Sequence, residues 1–85
     1  MTTQEIASVY ERYVIPVYNR IGIALARGSG SWLWDHEGKR YLDFFPGWGV
    51  DALGHCHPAI LRAVQTQVKR LIHVANTYYH EPQAL

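Results

Sequence analysis

Ser31-Trp32-Leu33-Trp34-Asp35-His36-Glu37-Gly38-Lys39-Arg40-Tyr41-Leu42-Asp43-Phe44 decides what this 85-residue chain can fold into. Ser31 to Trp34 is aromatic and strand-like, Asp35 to Gly38 has the polar and glycine chemistry of a reverse turn, and Lys39 to Phe44 reads as a second strand. Upstream, Ile23 to Arg27 reads as extended, and Gly28-Ser29-Gly30 as the hairpin turn joining it to the aromatic strand. The three segments predict a small antiparallel meander. A sheet of this size needs a covering layer before it is stable.

Helical signals flank the meander. Thr2 and Glu5 have capping-box spacing, in which hydroxyl and carboxylate each satisfy an orphan backbone N–H. Ile6, Val9, Tyr10, Tyr13 and Val14 follow at helical spacing, predicting a helix from Thr3 to Tyr13 that is over before Pro16. Between Phe45 and His57, Pro46, Gly47, Gly49 and Gly54 break any regular pattern. Pro58 suits the first position of a helix. The apolar stripe Ile60, Leu61, Val64, Val68, Leu71 and Ile72 carries that helix to about Leu71. Val74 to Tyr79 has no helical period, and Glu81-Pro82-Gln83 begins a further helix. The expected class is an α+β segment: N-terminal helix, antiparallel meander, amphipathic helix.

Composition narrows the function classes. Hydrophobic residues make up 48% and aromatic residues 13%, with three Trp and six Tyr. A chain this short buries only about two-thirds of the surface its unfolded form exposes, so this much apolar side chain calls for another domain, subunit or ligand. The net charge is +1, and the basic residues occur as isolated pairs such as Lys39-Arg40 and Lys69-Arg70. That leaves no electrostatic footprint for nucleic acid or anionic lipid. No apolar run approaches the roughly 18 residues a membrane span requires, and Met1 to Glu5 has neither the basic nor the apolar region of a secretory signal. Cys56, the single cysteine, excludes an internal disulfide and suits a reducing compartment. The expectation is a cytoplasmic protein.

Four strings carry candidate chemistry. His55-Cys56-His57, with His73 and His80, raises a metal site, but ligands two apart close a tetrahedral site poorly and no second Cys exists. The position just ahead of a helix favours a structural turn in which a polar side chain caps free N–H groups. Cys56 beside an imidazole also raises a nucleophile, yet no orienting acid or oxyanion donor accompanies it. Gly28-Ser29-Gly30 raises a phosphate loop, but an aromatic strand follows where a helix N-terminus is needed. Gly47-Trp48-Gly49 leaves an indole with little local shielding, either a core Trp in a tight bend or the wall of a ligand pocket. Asn76-Thr77-Tyr78-Tyr79 puts an amide, a hydroxyl and two phenols in a non-periodic stretch, as loops at binding sites do.

Taken in order, Gly30 to Asp35, Gly38 to Phe44, Leu53-Gly54-His55-Cys56-His57-Pro58, and then Gln67, Leu71, His73, Asn76, Tyr78-Tyr79 and Glu81-Pro82-Gln83 resemble the opening of class III pyridoxal-phosphate-dependent aminotransferases. Acetylornithine and ornithine aminotransferases are nearest. The match is close over Gly28 to Leu85 and loose over Tyr10 to Arg27. The resemblance implies an α/β enzyme of fold type I and a homodimer. It places residues 1–85 as an N-terminal segment contributing to the small domain, with the large cofactor domain absent. It further implies transfer of an amino group from an ω-amino donor such as N-acetylornithine to 2-oxoglutarate, with arginine biosynthesis as the setting. Pyridoxal 5'-phosphate is the electron sink in that family. The Schiff-base Lys, the Asp at the pyridinium nitrogen, the phosphate loop and the carboxylate-binding Arg all come later in the family's sequence. Neither Lys39 nor Lys69 falls at the Schiff-base position, so no catalytic, cofactor-binding or metal-binding residue is expected here and the segment alone is expected to be inactive. By resemblance Trp48 falls where ornithine aminotransferases place an aromatic residue touching substrate, and Tyr78 and Tyr79 fall in a segment near the active-site mouth. Phe45-Pro46-Gly47-Trp48-Gly49 departs from the small-residue pattern usual in acetylornithine enzymes, which bears on the substrate rather than the family. The competing expectation is a free-standing binding or dimerisation module without catalysis.

Overall fold

The computed structural model describes all residues 1–85. Helix α1 spans Thr3–Tyr13. Its capping box is complete: Glu5 N–H donates to Thr2 Oγ1 across 3.2 Å and Thr2 N–H donates to Glu5 Oε2 across 2.7 Å. Two orphan donors are thereby satisfied, and these bonds hold the Glu5 carboxyl below its ordinary pKa.

Strands β1 (Leu25–Ser29), β2 (Trp32–Asp35) and β3 (Arg40–Leu42) form one antiparallel sheet in sequence order. β1 pairs Ser29 with Trp32 and Arg27 with Trp34, with a bulge between Leu25 and Arg27. β2 pairs Leu33 with Tyr41 and Trp34 with Arg40. Alternation puts Trp32 and Trp34 on one face. There the Arg27 guanidinium lies 3.7 Å from the Trp34 ring centre and that of Arg40 lies 4.1 Å from the Trp32 ring centre. The opposite face carries Leu33, Asp35 and Tyr41.

The β2–β3 turn is built around one carboxylate. Asp35 Oδ1 accepts from the backbone N–H groups of Glu37 (3.0 Å) and Lys39 (2.8 Å), and Oδ2 accepts from the Tyr41 hydroxyl at 2.7 Å. The Tyr41 bond, followed by the two backbone bonds, lowers the Asp35 pKa, and the same bond raises that of Tyr41. Asp35 is the one buried residue of the chain. The turn meets α1 through Glu37, which accepts from the Thr3 N–H and hydroxyl, each at 2.8 Å.

The first hairpin turn sits later than Gly28-Ser29-Gly30. Gly28 and Ser29 belong to β1, and the chain reverses at Gly30 (φ 58°) and Ser31. Gly28 is a glycine for a spatial reason: a Cβ there would come within 2.8 Å of the His55 side chain and 3.0 Å of Leu33. Likewise Ile23 and Ala24 lie outside β1. Ile23 N–H closes a tight turn on Ile21 C=O, and the backbone joins the sheet only at Leu25.

Helix α2 spans Pro58–Val68, with Pro at its first position. It stops short of Leu71 because Gln67 closes the end: Arg70 and Leu71 N–H groups donate to Gln67 C=O, and Gln67 Nε2 donates to Leu71 C=O at 2.9 Å. A short α3, Glu81–Ala84, follows.

No helix covers the sheet, and no hydrophobic residue is buried. The accessible surface is 7859 Å², against roughly 5,200 Å² for a compact monomer of 9.8 kDa. The radius of gyration is 17.0 Å, where a compact domain of this length has about 12 Å. The local elements are well made and the shared core is missing.

Candidate functional site

The segment between β3 and α2 is held at its base by one side-chain pair. His55 Nε2–H donates to Asp43 Oδ2 across 2.6 Å, with both groups half-buried. Asp43 Oδ1 accepts from Phe45 N–H at 3.0 Å. The imidazole bond, then the Phe45 bond, keeps the Asp43 carboxyl below its ordinary pKa, so it is the acceptor. The backbone of His55 is fixed as well, pairing with Gly30 through N–H···O bonds of 2.8 and 3.0 Å. Gly54 makes that pairing possible. Its φ is 77°, and a Cβ there would approach the Gly30 carbonyl oxygen to 2.9 Å.

Above this base the chain makes one tight turn at Gly47–Gly49, closed by Gly49 N–H to Pro46 C=O (3.0 Å) and Val50 N–H to Gly47 C=O (3.2 Å). All three residues are left-handed, with φ of 58°, 60° and 86°. A Trp in that region costs of order 1 kcal/mol. The Trp48 side chain is 89% exposed. Its one aromatic neighbour is Phe45, edge to face with ring centres 5.5 Å apart.

Tyr78 and Tyr79 lie on the turn between α2 and α3, where Tyr78 N–H donates to Ala75 C=O at 3.1 Å. Both rings are exposed and neither stacks on Trp48. Asn76 Oδ1 accepts from Gln83 Nε2 at 3.2 Å, tying the turn to α3.

His55, Cys56, His57, His73 and His80 do not gather round one point. His57 Nδ1 accepts from Ala59 N–H at 3.1 Å and caps α2, while Cys56 is exposed with φ 56°. His55 instead converges with Asp43 and Asp51, their ligand-type atoms within 4.8 Å of one another. Its Nε2 is already engaged by the Asp43 carboxylate. This set was not legible in the sequence, because Asp43 and His55 are brought together only by the closure of the meander on Gly30.

The best-formed hollow, about 860 Å³, lies away from Trp48, between α1 and the connection to β1; Ile6, Tyr10, Val14, Ile21 and Ile23 are among its walls. It reflects the exposed apolar face of α1.

The chain as a whole matches known proteins in sequence and in fold. The family model described as aminotransferase class-III matches residues 13–85. The chain belongs to the class III aminotransferase family. It is 49% identical over 74 residues to the acetylornithine aminotransferase of Methanopyrus kandleri, covering 87% of this chain and 19% of that protein. It is 54% identical over 70 residues to the acetylornithine aminotransferase of Synechocystis, covering 82% and 16%. Among solved structures, the ornithine δ-aminotransferase of Plasmodium falciparum superposes with a TM-score of 0.91 at 30% identity, covering 99% of this chain and 22% of that one. The chain thus spans about a fifth of the length of the relatives it matches.

Class III aminotransferases depend on pyridoxal phosphate. The residues present in this chain do not fit that cofactor by themselves. Such a site needs a lysine at the cofactor carbonyl, a cradle of N–H groups for the phosphate and a carboxylate at the ring nitrogen. Of the two lysines, Lys39 lies 5.2 Å over the Tyr41 ring at the hairpin and Lys69 closes α2. Neither lines the hollow beside α1.

Proposed function

We propose that the chain is the N-terminal segment of a class III aminotransferase of fold type I, contributing to the small domain and completed by a large cofactor domain and a second subunit. The reaction is transfer of an amino group from an ω-amino donor such as N-acetylornithine to 2-oxoglutarate, in the cytoplasm and in the service of arginine biosynthesis. Pyridoxal phosphate supplies the electron sink when bound by the large domain. The identity to acetylornithine aminotransferases supports the donor class. The more than 2,000 Å² by which the surface exceeds that of a compact monomer argues for the covering domain and subunit, and against a free-standing module.

The role of this segment is to present Trp48 to the amino donor, with Tyr78 and Tyr79 lining the approach. One observation carries it: a large aromatic side chain is held in a left-handed turn and left 89% exposed, with a single edge-on contact to Phe45 as its aromatic packing inside the chain. Strain retained without local compensation is a mark of functional positions. In the full-length enzyme, Trp48→Ala should raise the KM for N-acetylornithine about tenfold while kcat stays within a few-fold, the signature of lost ground-state contact. Steady-state kinetics on both substrates checks it; an unchanged donor KM removes Trp48 from the site.

A further inference from the structure

Nothing in the role given to Trp48 uses the Asp43–His55 pair, yet that pair is the point from which the Trp48 turn is built. We propose that Asp43 and His55 are positioning residues for the amino donor: their hydrogen bond clasps the base of the segment 44–54 and so holds Trp48 in its left-handed turn. The inference rests on the proposed contact between Trp48 and the donor.

The clasp runs through named bonds. The two oxygens of Asp43 do different work, one receiving the His55 ring at 2.6 Å and the other Phe45 N–H at 3.0 Å. The second bond fixes the direction in which the chain leaves β3, and Phe45 is the residue whose ring meets Trp48 edge-on. His55 is held from its other side by the two backbone bonds to Gly30, and its ring packs where a Gly28 side chain would otherwise sit. Both ends of the segment are therefore tied to the rigid β1–β2 hairpin and to each other. Inside it, Trp48 is supported by the backbone bonds of the turn and by the edge-on Phe45 ring. A one-point contact on a mobile loop positions a ligand poorly, whereas a loop closed by a charge-assisted bond restricts the conformations the indole can take.

The groups facing His55 are few. Asp43 comes from the end of β3 and Asp51 from the Trp48 turn, and both are carboxylates. Gly28, Gly30 and Leu33 of the hairpin bring no charge, and His57 is turned onto Ala59 N–H.

The test is a kinetic cycle in the full-length enzyme. Asp43→Asn, His55→Gln, Trp48→Ala and the doubles of the first two with Trp48→Ala are compared by KM for N-acetylornithine, kcat and thermal midpoint. Each single clasp variant should raise the donor KM several-fold, toward the value of Trp48→Ala, with kcat little changed; in the Trp48→Ala background neither should raise it further, because coupled residues are non-additive. A purely structural role predicts multiplicative effects or a joint fall in kcat and thermal midpoint, and either result overturns the proposal. Two clasp substitutions guard against one failing to fold. If Trp48→Ala alone leaves KM unchanged, the contact reading fails and the positioning inference with it; if Trp48→Ala acts but the clasp variants do not, only the inference fails.

Discussion

Asp35 and Trp48 illustrate two opposite uses of a single side chain. Asp35 is satisfied on every side, receiving two backbone N–H groups and the Tyr41 hydroxyl, and its pKa is lowered chiefly by that hydroxyl. A carboxyl whose folded pKa is depressed contributes stability that is present above its unfolded value, near 3.8, and lost as pH falls through the folded value. The hairpin turn is thus expected to keep its protection at pH 5 and to lose it only as pH falls below the ordinary carboxyl value of 3.8. Amide exchange at Glu37 and Lys39 checks this, and Asp35→Ala should speed exchange at both by about tenfold or more at neutral pH by removing their acceptor. Trp48, by contrast, has one edge-on aromatic neighbour, Phe45, and is otherwise open to solvent.

Among the elements, those governed by local chemistry were legible. The Thr2/Glu5 box gave α1 its observed bounds, Thr3–Tyr13, and Pro58 marked the start of α2. The meander was legible from aromatic strands around a polar turn. What escaped was set by contacts distant in sequence. Of the expected Gly28-Ser29-Gly30 turn only Gly30 is at the reversal, since Gly28 and Ser29 pair within β1, and beyond α2 the Gln67 amide reaches the Leu71 carbonyl. Trp48 could be singled out as a candidate from its flanking glycines and a family resemblance, but the Asp43–His55 clasp needs the third dimension. At this scale Gly54→Ala is the sharpest probe. A methyl group would meet the Gly30 carbonyl and force a left-handed alanine, so about 1–3 kcal/mol of stability should be lost. Denaturant unfolding of the full-length enzyme measures it, with loss of protection at the Gly30 and His55 amides as the local sign.

The molecule as a whole is a set of correct local structures without a common interior. Side chains as large as Phe44, Trp48, Val50, Ile72 and Tyr79 are each more than four-fifths exposed. On its own, the 85-residue chain should melt without a cooperative transition by calorimetry and should bind an apolar dye strongly, since the net stability of even a compact small domain is only a few kcal/mol. A sharp two-state melt with little dye binding would instead favour the free-standing module. The two arginines lying over indoles bear on a different property. Neither Arg27 nor Arg40 is paired with a carboxylate, and each cation sits about 4 Å or less from a ring centre. Contacts this short lie inside the Debye length of about 8 Å at physiological ionic strength and admit no counterion between the partners. Beside its backbone ladder the sheet therefore has two attractions that dissolved salt weakens little, and the face that carries them is expected to keep its shape from dilute to concentrated salt.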